Sequence, residues 1–154
     1  MTGFSGKQPG FHSGTLTNQP FWPDMSLERL SVDYRIPNDL ESGTVAEHCR
    51  QAMTDINLRL YEYRKTQQEK GYTRLDEVPA ETVDDESILL MLYRRAVSFR
   101  CKATVCRDYP TIDRREPAEN QAKSSEETEG LYLRLADEAV RSFLEMSDIT
   151  VELL

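Results

Sequence analysis

Histidine, cysteine and tryptophan are scarce in this chain of 154 residues, with two, three and one copies. The cysteines, Cys49, Cys101 and Cys106, are odd in number and include no CxxC pair, so a disulfide framework is not expected. His12 and His48 show no sign of a common site, and the Gly-rich, GxSxG and HExxH patterns of phosphate, nucleophile and zinc sites are missing. We therefore predict no catalytic residues, no metal site and no cofactor.

Long apolar runs are also missing from the chain. Every window of twenty residues contains charge, so no segment is expected to span a bilayer, and residues 1–4 do not lead into the apolar core of a signal peptide. Apolar residues make up 38% and charged residues 30% of the chain, which allows one domain with a modest core. We expect a protein that folds in the cytoplasm and has no membrane partner.

The chain has fewer basic than acidic residues, with 19 Lys and Arg and 27 Asp and Glu, which gives a net charge of −8. A protein that grips DNA needs a surplus of Lys and Arg to neutralise phosphates. The balance therefore argues against a DNA-gripping module, although an acidic lumen would let DNA pass without sticking.

Helical periodicity is the main signal that is present. Residues 1–20 lack it and predict a flexible, extended arm. A short helix is expected through Leu27 and Leu30, capped by Asp24 or Ser26.

The first long helix is predicted from about Thr44 to Lys70, with Thr44 and Glu47 as a capping box. Its single apolar stripe recurs at steps of three and four and comprises Val45, Cys49, Met53, Ile56, Leu60 and Tyr63. Residues 71–83 should form a connector, because Pro79 does not fit a continuous helix.

The second long helix is predicted to open at Asp84-Asp85-Glu86, where acids suit the positive end of a helix dipole, and to end before Pro110. Residues 110–124 indicate a loop, and a third long helix follows with Ser124 and Glu127 as its capping pair. We therefore predict an all-α protein, an antiparallel bundle of three long helices plus a short N-terminal helix. Residues 148–154, in which apolar and polar residues alternate, should form a short extended C-terminal tail.

The second and third long helices each carry about two apolar lines, where a surface helix needs one. On the second helix Ile88, Leu92, Ala96, Phe99, Ala103 and Cys106 form one line, with Leu89, Met91, Val97 and Val105 beside it. On the third helix the lines are Leu131, Leu135, Ala139 and Phe143, and Leu133, Ala136, Val140 and Leu144. One copy of this size is not expected to cover both lines, so we predict that these helices also meet other subunits.

Charge is segregated along the chain. Six acids without a base lie from Asp76 to Glu86, and five bases without an acid lie from Arg94 to Arg107. The acids include Asp84, Asp85 and Glu86, and the bases are Arg94, Arg95, Arg100, Lys102 and Arg107. One interpretation is a solvated helix with ion pairs inside the chain. The other is a head-to-tail contact between the acidic connector of one subunit and the basic helix of the next.

Two apolar segments also allow two interpretations each. At Phe21-Trp22, the sole tryptophan either staples the short helix to the core or anchors the arm on a neighbouring subunit. The tail residues Ile149, Val151, Leu153 and Leu154 either cover a groove of their own subunit or add as a strand to a partner.

Several linear motifs resemble one known family. The run Leu58-Arg59-Leu60-Tyr61-Glu62-Tyr63-Arg64 is followed by Gly71-Tyr72-Thr73-Arg74-Leu75-Asp76-Glu77-Val78-Pro79-Ala80 and by Asp85-Glu86-Ser87-Ile88. With Phe21-Trp22-Pro23-Asp24 and Arg95-Ala96-Val97, these stretches resemble the head completion/stabilisation proteins, gpL type, of temperate, contractile-tailed phages. The resemblance covers residues 20–110, and the last helix is similar by length and pattern.

The resemblance implies a structural protein without catalytic residues, with a helical head–tail connector domain at 21–147 between the arm and the tail. It implies a homo-oligomeric ring, usually dodecameric, bound beneath the portal protein at the head–tail junction of the virion. Such a ring extends the channel for DNA, retains the packaged genome and presents a surface to the next neck or tail completion protein. Assembly would take place in the host cytoplasm.

Two other functions remain open at this stage. A DNA-packaging factor would bind nucleic acid through the basic helix 94–107 and would show salt-sensitive affinity. A regulatory helical module that binds another protein would be a stable monomer or dimer in isolation.

Overall fold

Helices joined by short strand pairs make up the described fold. The structure, a computed structural model, describes the backbone of residues 12–108 and 118–152 and the side chains of residues 12–108 and 128–147. The helices are α1 (Leu27–Asp33), α2 (Ser42–Arg59), α3 (Tyr61–Glu69), α4 (Ile88–Asp108) and α5 (Ala118–Glu152), and a 3₁₀ turn covers Leu75–Glu77. Strand β1 (Thr15–Leu16) pairs antiparallel with β2 (Met25–Ser26), and β3 (Thr82–Val83) pairs antiparallel with β4 (Glu86–Ser87). The prediction of an all-α protein is confirmed in outline.

Helix α4 is the central element, because it packs against α5 on one side and α2 on the other. Pairings such as Asp55–Arg100 and His48–Asp108 show that α2 and α4 run antiparallel. The core is continuous from β2 through α2 and α4 to α5. Its largest fully buried side chains include Tyr93, Phe21, Phe143, Ile56, Leu60, Leu75 and Leu89.

The first long helix is divided in two, which corrects the prediction of one helix over 44–70. It begins at Ser42, where Glu41 caps it without a side-chain hydrogen bond, so the capping box at Thr44 does not form. At Leu60 the backbone leaves helical geometry, with φ −100° and ψ 14°, and α3 begins at Tyr61. Leu60 is buried, as its place in the apolar stripe four residues after Ile56 predicts.

The acidic run before α4 forms a β-turn, so the prediction that it opens the helix is wrong. Asp84 and Asp85 have φ values of 52° and 60°, the two positive angles of a type I′ hairpin turn. Aspartate tolerates the left-handed region better than most residues. The turn joins β3 to β4, and α4 begins only at Ile88.

Residues 12–20 are attached to the bundle, which corrects the prediction of a free arm for this part of the N-terminus. His12 is buried, with ring nitrogens 2.8 Å from Ser42 Oγ and 2.9 Å from the Pro37 carbonyl oxygen. Leu16 is buried in the core and pairs with Met25 across β1 and β2. The strand pairing holds this segment in place, although its sequence has no helical periodicity. The prediction for residues 1–11 falls outside the described residues.

Helix α5 extends past both of its predicted ends. It begins at Ala118, because residues 118–123 are mostly good helix formers, so Ser124 and Glu127 do not cap its start. It continues through Glu152, so the prediction of an extended tail is wrong at Ile149 and Val151. Adding a residue to an existing helix gains a hydrogen bond at little entropic cost, and a short alternating pattern does not override that gain. Leu153 and Leu154 lie outside the described residues.

Candidate assembly surfaces

Phe21 and Trp22 lie in the core and are not available to a neighbouring subunit. Both are nearly inaccessible to solvent, with exposures of 2% and 3%. The Trp22 indole stacks on Tyr93, and Phe21 meets it edge-on with ring centroids 4.8 Å apart. The structure supports the interpretation in which Trp22 staples its segment to the core.

Most of the second apolar lines are covered inside one subunit, whereas Met91 and Leu144 of these lines stay exposed. Val97, Val105 and Val140 are buried, because α4 packs against both α5 and α2. Leu92 and Leu133 are half-buried. The large apolar side chains that remain exposed in the described residues are Val32, Leu58, Tyr61, Val83, Met91, Leu131 and Leu144.

Four of the five bases on α4 have partners within the chain. Arg94 pairs with Glu86, and Arg100 pairs with Asp55 at 3.4 Å. Lys102 donates a hydrogen bond of 2.5 Å to the carbonyl oxygen of Tyr34 and lies 4.7 Å from the ring centroid of Tyr132. Arg107 pairs with Asp108 at 2.8 Å, and this hydrogen bond lowers the pKa of the Asp108 carboxyl. Arg94, Arg100 and Arg107 fit the interpretation of ion pairs inside the subunit, and Lys102 is held there by a carbonyl oxygen and an aromatic ring.

Arg95 differs from these four bases, because within the described residues it has no ion pair or hydrogen bond and it lines an open groove. Its guanidinium carbon lies 4.9 Å from the ring centroid of Phe99, which is a cation–π contact. Arg29 of α1 lies on the other side of the groove, with a side chain 65% exposed and a long contact of 4.0 Å to Asp33.

The groove, of about 500 Å³, lies between α1 and the first half of α4. Its apolar lining includes Met25, Leu30, Ile88, Met91 and Leu92, and its charged lining comprises Asp24, Arg29, Asp33, Glu86, Arg94 and Arg95. Burial lowers the pKa of Arg94, and the positive charge of Arg29 adds to the effect. The groove therefore combines an apolar lining with three acids and three arginines, and two of these arginines, Arg29 and Arg94, pair with acids of the groove itself.

The β3–β4 hairpin presents the acids that the sequence predicted as an interface. Asp84 and Asp85 are exposed at its tip, and within the described residues neither carboxylate has an ion pair or a hydrogen bond. Beside them Val83 is 51% exposed. Glu86 differs from them, because Arg94 holds it.

The sequence did not reveal the groove itself. Arg29 and Met91 were unremarkable in their own helices, and only the packing of α1 on α4 brings them together with Arg95. The structure does not distinguish the two interpretations of the C-terminal tail, a groove cover in its own subunit or a strand added to a partner. Ile149 and Val151 have no described side chains, and Leu153 and Leu154 lie outside the described residues.

Within the described ranges, His, Cys, Asp and Glu form no group of three or more that suits a metal ion. No helix in the described part of the chain combines the length and apolar character needed to cross a membrane.

Comparison with known proteins decides the family. The family described as "Phage head completion protein (GPL)" matches residues 16–154, nearly the whole chain. The chain belongs to this family. A head completion/stabilization protein of Escherichia phage P2 is 31% identical over 121 residues, which span 79% of this chain and 72% of the relative. A probable head completion/stabilization protein of Haemophilus phage HP1 is 24% identical over 118 residues, 77% of this chain and 79% of the relative.

No solved structure matches the chain. The sequence comparisons confirm the resemblance seen in the linear motifs. The family match also includes residues 16–20, which the motifs did not cover. A head completion protein is a structural component of the phage head, so the interaction surfaces are the features of interest.

Proposed function

We propose that this protein completes and stabilises the filled phage head by forming a ring beneath the portal. The ring extends the DNA channel, retains the packaged genome and presents the surface to which the next neck or tail completion protein binds. The observation that carries the proposal is the family match over residues 16–154.

The charge of the chain supports a channel role. A net charge of −8 gives the subunit little attraction for phosphates, so DNA that moves through a ring of such subunits is not held by it. The basic residues of α4 fit the same role, because Arg94, Arg100 and Arg107 are engaged by acids of their own subunit.

These ion pairs also bear on the alternative of a DNA-packaging factor. A nucleic-acid surface on α4 would have to break the pairs of Arg94 and Arg100 before it met phosphates. No observation on the described residues favours this alternative, and we propose the structural function in its place.

The test is infection by a phage whose gene for this chain carries an early stop codon. We expect heads that package DNA and then lose it, seen as DNase-sensitive DNA and as empty, tailless heads by electron microscopy. Wild-type protein supplied in trans should restore tailed, DNase-resistant particles. Normal particle yield without the protein would contradict the proposal.

A variant that removes two positive charges from α4 separates assembly from DNA binding. Arg100→Gln with Arg107→Gln should leave particle yield near normal if these bases only pair inside the subunit. A loss of packaging, together with a loss of salt-dependent DNA affinity in the purified variant, would favour the packaging-factor function instead.

A further inference from the structure

The hairpin tip and the groove are complementary surfaces on one chain. The tip carries two exposed acids, Asp84 and Asp85, beside the exposed Val83. The groove offers two exposed arginines, Arg29 and Arg95, beside an apolar lining and two exposed acids, Asp24 and Asp33.

We propose that the β3–β4 hairpin tip of one copy docks in the α1–α4 groove of the next copy, with its acids on Arg29 and Arg95. This contact deepens the proposed ring and rests on it, because it names the surfaces through which subunits join. It also moves the head-to-tail contact expected from the charge pattern away from Arg100 and Arg107, which have partners in their own subunit.

Charge complementarity is the first argument for a second copy as the occupant. Carboxylates that lack partners within the described residues would meet Arg95, which has no ion pair there, and Arg29, whose pair with Asp33 is long and exposed. The other acids of the groove have contacts of their own, since Glu86 pairs with Arg94 and Asp24 accepts a hydrogen bond from the Asn18 backbone N–H. Arginine is suited to bidentate contact with a carboxylate. The remaining arginine of the groove, Arg94, is already held by Glu86 and would keep that partner.

The shape of the turn is the second argument. Two consecutive aspartates at positive φ cost free energy that Asn-Gly, the preferred sequence of a type I′ turn, would avoid. The turn therefore retains two negative charges at a conformational cost. Docking on arginines would give the two carboxylates the ion-pair partners that they lack within the described residues of the single subunit.

When the tip of each copy enters the groove of the next copy only, the contact is heterologous, and it forms a ring if the rotation between copies closes. It also uses apolar groups that a single copy leaves in water. Val83 on the tip and Met91 in the groove are both exposed in the described subunit, and docking would remove both from solvent.

A turn-preserving variant provides the sharpest charge test. Asp84→Asn with Asp85→Gly keeps the type I′ geometry and removes both charges, so the subunit should stay folded while self-association weakens by about tenfold or more. The matched control, Glu62→Gln with Glu69→Gln on α3, changes the net charge equally at exposed sites outside the groove. Association that weakens equally in both variants would overturn the proposal.

Charge reversal adds a rescue that a purely structural role would not produce. Asp84→Arg with Asp85→Arg should abolish self-association, and a mixture with Arg29→Asp, Arg95→Asp subunits should restore it. Sedimentation velocity at low and high salt measures both the loss and the restoration of self-association, because salt screens exposed ion pairs. Failure of the mixture to associate, with both variants folded by circular dichroism, would overturn the contact.

Cross-linking locates the contact in the particle. In a Cys106→Ser background, where Cys49 and Cys101 are buried, Val83→Cys subunits are mixed with Asp33→Cys subunits and treated with a short bismaleimide. We expect cross-linked dimers from the mixture, both in virions and with purified protein, and none when Glu69→Cys replaces Val83→Cys.

The outcomes separate this inference from the proposed function. A ring beneath the portal without the Val83–Asp33 cross-link would overturn the docking contact and leave the function standing. Virions that lack the ring would defeat the proposed function. In that case the purified proteins decide the contact: cross-linking in solution supports it, and its absence there overturns it.

Discussion

Trp22 and Tyr93 lie face to face in the core, with ring centroids 4.7 Å apart and ring planes within 8° of each other. Trp22 follows β1, and Tyr93 lies on α4, so this stack joins the N-terminal segment to the central helix. Phe143 of α5 approaches the same indole at 6.1 Å, which brings three parts of the fold to one aromatic cluster.

Removing the indole should destabilise the fold strongly. We expect Trp22→Ala to lower the free energy of unfolding by about 3–5 kcal/mol, because a large buried ring is lost and a cavity is left. Trp22→Phe should cost less, since it retains part of the stack. Urea denaturation followed by circular dichroism measures both, and an Ala variant as stable as the wild type would contradict the role assigned to the stack.

The hydroxyl of Tyr93 closes a hydrogen-bonded triangle. It donates to Asn57 Oδ1 at 2.5 Å and accepts from Asn18 Nδ2 at 2.7 Å, while Asn57 Nδ2 donates to Asn18 Oδ1 at 2.9 Å. Tyr93→Phe keeps the ring but leaves the two amides without this partner, so we expect a loss of about 1–3 kcal/mol. Asn18→Ala in the Tyr93→Phe background should add less than it does alone, because the triangle is already broken. Additive losses in this double-mutant cycle would argue against a coupled network.

Stability should fall in the alkaline range. Burial raises the pKa of Tyr63 to about 12 and raises the pKa of Tyr93 above its ordinary value as well. Below pH 10 both states keep these protons, whereas above it the unfolded chain loses them first, so the free energy of unfolding falls as pH rises towards 12. Thermal unfolding between pH 9 and pH 12 measures the slope, and Tyr63→Phe should make it shallower. An unchanged slope in that variant would show that Tyr63 does not contribute.

The break between α2 and α3 gives a matched pair of leucines. Leu60 is buried, whereas Leu58, two residues earlier, is 69% exposed. We expect Leu60→Ala to cost about 2–5 kcal/mol and Leu58→Ala to change stability by less than about 0.5 kcal/mol. Equal losses in chemical denaturation would mean that Leu58 is also covered, either by the subunit itself or by a second copy.

The sequence predicted the helical class and much of the core, because apolar spacing is set by burial. The stripe Val45, Cys49, Met53 and Ile56 is indeed buried along α2. The helix ends were less predictable, since tertiary packing decides them. The helix breaks at Leu60 although the apolar spacing continues through it, and the acids at 84 and 85 form a turn rather than a helix start.

The interaction surfaces were predictable only in part. Charge segregation drew attention to Asp84, Asp85 and Arg95, and the structure shows that all three are exposed. It could not show that Arg100 meets Asp55, because that contact joins residues far apart in the chain. The width of the apolar faces overstated the surface left for other subunits, because Val97 and Val140 are covered within their own subunit, whereas Met91, Leu131 and Leu144 stay exposed.

Electron cryomicroscopy of the neck of the intact particle tests the central claim most directly. The account predicts a closed ring of copies of this chain in contact with the portal, around the DNA channel, with the α1–α4 groove of each copy facing the β3–β4 hairpin of a neighbour. A neck in which the portal contacts the next protein directly, with no copies of this chain between them, would contradict it.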